Sequence, residues 1–253
     1  MLARTMHAIV YDAVHDEIVV PNAFSYAVLT FRGGADGEEA PIRVIQGPKT
    51  GLLFTDQLDV DPIHNETFVP MRSGEHGTIH VFDRAANGDV APIRILGGPD
   101  SGISGGGVTV DPEHNLILAG GRGGLRIFNR TDSGNAKPLR VITGGPTSGT
   151  RGPSSPVMIP GTRMFVATSR SFNAIDSVAT SNFQTPQEAQ SFIGVWSIDD
   201  NGDVPPRWTI AHDILKEVRN LAVDPKNKTV IAADKGLNAI MTFAFPEAFE
   251  ATE

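Results

Sequence analysis

Seven histidines and 29 aspartates and glutamates are the groups in this 253-residue chain best equipped for acid–base work or metal binding, and most of them recur in a pattern. His15, His64 and His114 occupy one repeated position, close behind Asp12, Asp61 and Asp111, and Asp224 stands at the same place further along. Equivalent positions in successive repeats lie far apart, so three such histidines do not converge on one ion. The same residues suit a tight turn, in which an aspartate accepts hydrogen bonds from nearby backbone N–H groups. Residues that serve a scaffold repeat with it, and residues that serve a function break it. His7, His76, His80 and His212 break it. His76 follows Glu75 on a variable segment, an adjacent pair with the donors for a metal or an acid–base couple. His80 sits in mid-strand, and His7 stands at the start of the first strand.

Several chemistries are excluded outright. The chain has no cysteine, hence no disulfide, thiolate metal site, cysteine nucleophile or c-type haem attachment. Neither Gly-x-Ser-x-Gly nor His-Glu-x-x-His occurs, and no glycine run follows a strand and opens a helix as a phosphate loop must. A net charge of −8 argues against a nucleic-acid surface, which needs clustered Lys and Arg. No apolar stretch approaches the ~20 residues that span a bilayer, so no membrane insertion is expected. Met1 to His15 contain no long apolar run of the secretory type.

The elements that must position these groups come from a repeat of about fifty residues. Its anchor is a β-branched run ending in Asp: Ile9 to Asp12, Leu58 to Asp61, Val108 to Asp111 and Leu221 to Asp224. Val157 to Pro160 is the missing copy, with Pro in place of Asp. A turn, a second apolar run, a variable loop and a third alternating run follow; the third runs are Val28 to Phe31, Ile79 to Phe82, Leu125 to Phe128, Val195 to Ile198 and Ile240 to Phe243. Asp36-Gly37, Asn87-Gly88, Ser133-Gly134 and Asn201-Gly202 then mark a hairpin that needs positive φ. The fourth run opens on proline, as in Pro41-Ile42-Arg43-Val44-Ile45 and Pro92-Ile93-Arg94-Ile95-Leu96, which suits an outer edge strand. Four strands per unit and no helix-period segment describe an all-β chain of propeller blades. The blades fall at about 6–48, 56–99, 106–146, 155–212 and 218–247 of a single domain.

The block Phe82-Asp83-Arg84-Ala85-Ala86-Asn87-Gly88-Asp89-Val90-Ala91-Pro92-Ile93-Arg94-Ile95-Leu96-Gly97-Gly98-Pro99 and its sister from Phe128 to Ile142 resemble the repeat of bacterial β-propellers related to the NHL-repeat and SMP-30/gluconolactonase-like families. The resemblance implies a location outside the cytoplasm, periplasmic, cell-surface or secreted, and a superfamily that mixes lactonases, lyases and interaction platforms. A lactonase of this kind would gather Glu, Asn and Asp from the inner strands around a divalent cation such as calcium. Only Asp56 and Asn220, with His7 near the channel mouth, are candidate ligands here; the opposing positions are Gly106-Gly107 and Ser154-Ser155. That departure favours a non-catalytic binding or assembly module without a cofactor over a metal-dependent lactonase or lyase.

The loops between second and third strands share one face with the connections between blades, and variation on that face is where binding is expected. Asn22, Phe24, Arg72, Glu75, His76, Arg122, Arg170, Asp234 and Lys235 fall there, as do the connections 97–107 and 144–156. The loop from Ser169 to Phe192, carrying Phe172 and Asp176, is far longer than its counterparts and reads as a lid or partner contact, or as a solvated excursion. The fifth unit has three strands before Glu253. Five blades closing with an incomplete last one, a piece of a six-bladed protein, and an edge capped by a protein partner or by self-association are all compatible with it.

Overall fold

Alternating β-branched and polar residues form strands wherever the sequence places them. The computed structural model describes residues 8–55, 57–73, 76–121, 123–170, 191–210 and 214–250. The first blade is the antiparallel sheet β1 (Val10–Asp12), β2 (Glu17–Asn22), β3 (Ala27–Arg32) and β4 (Arg43–Gln46), in that order. The second repeats it as β5 (Asp59–Asp61), β6 (Glu66–Ser73), β7 (His76–Asp83) and β8 (Arg94–Gly97). The third contains β9 (Val108–Asp111), β10 (Leu116–Gly121), β11 (Gly124–Asn129) and β12 (Arg140–Thr143). The fourth runs β13 (Ser154–Met158), β14 (Met164–Arg170), β15 (Ser191–Ser197) and, past the two-residue β16 (Gly202–Asp203), β17 (Trp208–Ile210). The fifth has three strands, β18 (Val218–Asp224), β19 (Thr229–Asp234) and β20 (Ala239–Ala244), followed by the one-turn helix α1 (Pro246–Phe249). The chain divides within the third blade into two compact units, residues 1–122 with 126–139, and residues 123–125 with 140–253.

Inside the first unit, sheets stack face to face. Val19, Val28 and Ile45 of the first blade pack on Leu58, Val60, Val69, Met71 and Phe82 of the second. The other face of the second blade, Phe68, Ile79, Val81 and Leu96, packs on Val108, Val110, Ile117 and Phe128 of the third. In the second unit, Val166, Ile193 and Val195 meet Leu221, Val230 and Ala232, with Met241, Phe243 and Phe245 closing the cluster. Each fully buried side chain of this size contributes roughly 1.5–3 kcal/mol, so these stacked faces supply most of the driving force.

Polar latches hold the two stacks of the first unit in register, and a third joins β12 to the fourth blade. The turn between third and fourth strands of one blade clips onto the fourth strand of the blade before it. Gly88 donates its N–H to Val44 O at 2.6 Å and accepts from Gln46 N at 3.2 Å. The flanking Asn87 and Asp89 side chains accept the N–H groups of Val44 (2.9 Å) and Lys49 (2.7 Å). Gly134 repeats the exchange with Ile95 and Gly97, and Asn135 accepts from Asp100 N. In the second unit Asn201 accepts from Val141 N, Asp203 accepts from Thr147 and Ser148 N, and β16 pairs in parallel with β12. All three turns need the left-handed backbone, with φ of 85° at Gly88, 61° at Gly134 and 83° at Gly202.

Mostly buried ion pairs add to the latches. Glu17 binds Arg43 of its own blade (2.5 Å) and Arg84 of the next (2.6 Å). Glu66 binds Arg94 of its own blade and Arg130 of the next, both at 2.5 Å. Burial acts to raise both carboxyls, but the paired guanidiniums outweigh it and hold both below the usual range. Removing the charge of Glu66 strands two desolvated guanidiniums, so Glu66→Gln is expected to cost about 3 kcal/mol at neutral pH by urea denaturation. A lowered carboxyl contributes stability above its unfolded pKa and loses it as pH falls through the folded value. The gap between parent and variant therefore narrows as pH falls below the ordinary carboxyl range.

Candidate functional site

The repeated Asp and His residues form one structure three times over. Asp12 Oδ1 accepts the N–H groups of Val14 and His15, while Oδ2 lies 2.7 Å from His15 Nδ1. Asp61 with His64, and Asp111 with His114, repeat the imidazole contact at 2.7 Å and the bond to the histidine N–H. The next turn residue takes positive φ, as at Asp16, Asn65 and Asn115. A carboxylate that grips Nδ1 is also the device that orients a catalytic or metal-binding histidine. The fifth blade shows what the turn requires: Asp224 accepts from Lys226 N and Asn227 N, and the Asn227 amide donates to it at 2.6 Å. An amide does the work of the imidazole, so the requirement is a hydrogen-bond donor and not a titratable ring.

Of the three candidate ligands, Asn220 alone lies among the described residues. His7 and Asp56 lie outside the described residues, and Asn220 Oδ1 accepts Leu221 N at 3.0 Å. Among the described residues no group of three or more His, Asp or Glu side chains is placed to hold a metal ion. His80, in β7, is buried and lies 3.2 Å from Thr50 O through Nδ1; burial holds its pKa below the usual value.

The loop face differs from its expected form because the strands run further. Asn22, Arg72, Arg170 and Asp234 lie on β2, β6, β14 and β19, and His76 opens β7 opposite Ser73. Asn22 Oδ1 accepts from Phe24 N and Ser25 N and so shapes its own turn. Arg72 donates from Nε to Gly105 O at 2.9 Å. Asp234 is buried and binds the N–H groups of Lys216, Glu217 and Leu237, which makes it an anchor for two loops and not an open ligand. His76, Arg170 and Lys235 are exposed. Glu75, Arg122, Phe172 and Asp176 fall outside the described residues.

Apolar side chains also stand open at this end of the first unit. Phe24 is 62% exposed and Tyr26, at φ 52°, is 50% exposed, both in the turn between β2 and β3. Leu53 and Phe54, also exposed, belong to the connection that leaves β4 at the same end, since Ala27 pairs with Gln46. Sequence reasoning found Phe24 and missed the other three, although all lie in segments flanking recognised strands.

It also missed Asp59. This carboxylate is enclosed and joins two blades, accepting the Thr109 hydroxyl and Val110 N, each at 2.8 Å, and Val60 N. Burial, aided by the nearby Asp61 charge, pushes its pKa up to about 6 against these hydrogen bonds. A raised carboxyl contributes stability below its unfolded pKa and loses it as pH rises through about 6. Asp59→Asn removes that titration. The stability difference between variant and parent is expected to shift in the variant's favour by roughly 1.4 kcal/mol between pH 5 and pH 8, measured by paired urea melts.

No family model matches the chain, and no curated protein matches it in sequence. Solved structures do match. The β-propeller domain of Cps50 (Swd1) from Myceliophteria thermophila superposes over 95% of this chain with a TM-score of 0.60 at 9% identity. A candidate 6-phosphogluconolactonase from Bacteroides uniformis does so over 93% with 0.57 at 16%, and the WD40 propeller domain of Doa1 over 99% with 0.52 at 10%. The fold is a β-propeller. At these identities the likeness carries the fold alone, and this chain spans 66%, 65% and 72% of those three chains. No helix among the described residues is long and apolar enough to cross a membrane.

Proposed function

We propose that the chain is a non-catalytic propeller module for binding or assembly, of the NHL-repeat and SMP-30-like kind that works outside the cytoplasm. One observation carries the reading. The repeated Asp–His pairs are engaged in turns, while the aromatic and aliphatic side chains Phe24, Tyr26 and Leu53 are exposed at one end of the first unit. Exposed aromatic groups beside a rigid sheet are the usual anchors of protein recognition. The likeness to WD40-type propeller domains supports the module over the lactonase or lyase, the alternative that the candidate 6-phosphogluconolactonase keeps in view.

Two measurements test it. Native mass spectrometry with and without EDTA, run beside a lactone-hydrolysis assay with added calcium, is expected to give a metal-free mass and no turnover. A stoichiometric divalent ion, removed by EDTA together with lactone hydrolysis, would move the assignment to the enzyme. The second concerns the apolar end. Phe24→Ser and Leu53→Ser are expected to change folding stability by no more than about 0.5 kcal/mol, as exposed positions do. A loss above about 2 kcal/mol would make these residues packing groups and remove the basis for a recognition surface.

A further inference from the structure

The connections that leave a fourth strand for the next blade repeat as closely as the blades do. Gly47-Pro48-Lys49-Thr50-Gly51, Gly98-Pro99-Asp100-Ser101-Gly102 and Gly145-Pro146-Thr147-Ser148-Gly149 share one pattern. In each, the hydroxyl donates back to the first glycine's carbonyl, from Thr50 and Ser101 at 2.7 Å and from Ser148 at 3.3 Å. The same oxygen accepts the N–H two residues on, at Leu52, Ile103 and Thr150. The last glycine is left-handed throughout, with φ of 62°, 63° and 66°.

What differs is the group beneath. Backbone bonds from Ile93 to Val81, Leu139 to Ile127 and Arg207 to Val195 make His80, Arg126 and Gly194 equivalent positions of the third strand. A Cβ at Gly51 would lie 3.0 Å from His80 Cε1, and one at Gly102 would lie 2.7 Å from Arg126 Nε. One at Gly149 would meet nothing within 4 Å. The same seat holds a titratable ring, a permanent cation and no side chain in turn.

We propose that His80 is an acid-operated catch: protonation of its ring releases the connection 47–55 from blade two, and with it Leu53 at the recognition end of the first unit. The inference rests on the recognition reading for its consequence, and the release itself stands without it. Three contacts hold the connection to blade two. His80 Nδ1 lies 3.2 Å from Thr50 O, so the neutral ring carries its proton there and donates it. Leu53 N reaches Met71 Sδ at 3.4 Å, and Thr55 Oγ1 lies 3.4 Å from Pro70 O. Leu52 packs between them in the core shared with blade one. A second proton must enter at Nε2, and it charges a ring that is 7% exposed, with Phe82 at 6.4 Å. Lifting the connection is what brings water to that charge.

Burial is the larger influence on the ring and lowers its pKa, while the Thr50 carbonyl acts to raise it. The closed form therefore takes up the proton less readily than the opened one. Its hold is complete above the ordinary histidine value of 6.5 and weakens as pH falls through it. Strand alternation leaves His76, at the exposed start of β7, as the other titratable group on this face of β7; the facing positions Val69 and Met71 of β6 and Ile95 of β8 are uncharged. On blade one, Glu17 and Arg43 are paired with each other and with Arg84, Arg32 with Glu39, and Asp12 with His15. The connection itself carries Lys49, whose N–H is held by Asp89. Asp59 titrates at about 6 but joins β5 to blade three, and its effect on stability has the opposite sign.

Hydrogen exchange on the full chain, scaled by intrinsic rates at each pH, tests the catch with no partner present. Between pH 7.5 and pH 5 the Leu52 and Leu53 amides are expected to lose protection by about threefold or more, while Ile103, on the connection over Arg126, holds within about twofold. His80→Gln, a neutral side chain that can still donate to Thr50 O, should flatten the response. The ring titration of the parent chain, followed by NMR and needing no variant, is expected to have its midpoint below 6.5. Protection at Leu52 and Leu53 that ignores pH, an equal acid loss at Ile103 or in His80→Gln, or a ring midpoint at 6.5 or above would each overturn the proposal. Failure of the recognition reading shows elsewhere, in the stability of Phe24→Ser and Leu53→Ser, which this experiment does not use.

Discussion

The latch between one blade's hairpin and the fourth strand of the blade before it is the interaction on which the rest depends. Face-to-face packing of β-sheets is strong but indifferent to sliding, because neighbouring apolar rows offer similar burial at several offsets. Hydrogen bonds are not indifferent. Gly88 exchanging bonds with Val44 and Gln46, with Asn87 and Asp89 taking the flanking N–H groups, admits one offset only. The glycine is required because the turn runs at positive φ, and its flanking amide or carboxylate is required because the N–H groups of the preceding blade would otherwise lose water without compensation. Glu17 and Glu66, each held by an arginine from its own blade and one from the next, reinforce the same joint, since Arg43 adjoins Val44 and Arg84 belongs to the hairpin that carries Gly88.

That economy explains why the repeated Asp and His residues, among the described residues, sit in separate turns and are not brought together. A propeller of short strands has a turn every few residues, and each turn leaves backbone N–H groups to satisfy. Asp12, Asp61, Asp111 and Asp224 meet that demand, and His15, His64 and His114 lock their carboxylates in place. Asp203 and Asp234 do the same for connections between strands. A carboxylate with all its acceptor sites aimed at backbone has little left for a substrate or an ion.

How much of this was legible in the sequence follows from what repeats. The period, the strand order, the glycine turns and the turn role of the repeated Asp and His can be read from the letters, because each recurs in the same local setting. The fourth blade shows the limit. Its third run suggests Ile198 at the place of Phe31 and Phe82, but the pairing of Met164 with Ser197 puts Trp196 there, stacked on Phe165, and shifts the counterpart of Arg94 to Trp208. A slip of two residues preserves which face is apolar, so hydrophobic alternation cannot detect it. Asp59 and the exposed Tyr26, Leu53 and Phe54 were hidden for a different reason. Each is ordinary in its own strand or turn and becomes unusual only through what another blade places, or does not place, beside it.

In each unit some positions differ in exposure from their counterparts in the other blades. In the first unit, Ile9 and Tyr11 occupy the positions at which Leu58 and Val60 are buried against the preceding blade, and both are exposed. In the second, Ile240 is exposed where its counterparts are fully enclosed. Ordinary surface residues need no partner, and a single exposed isoleucine would mean little. The comparison within the chain is what gives these positions meaning, because the same backbone, the same register and the same kind of side chain are buried elsewhere by the face of the following blade.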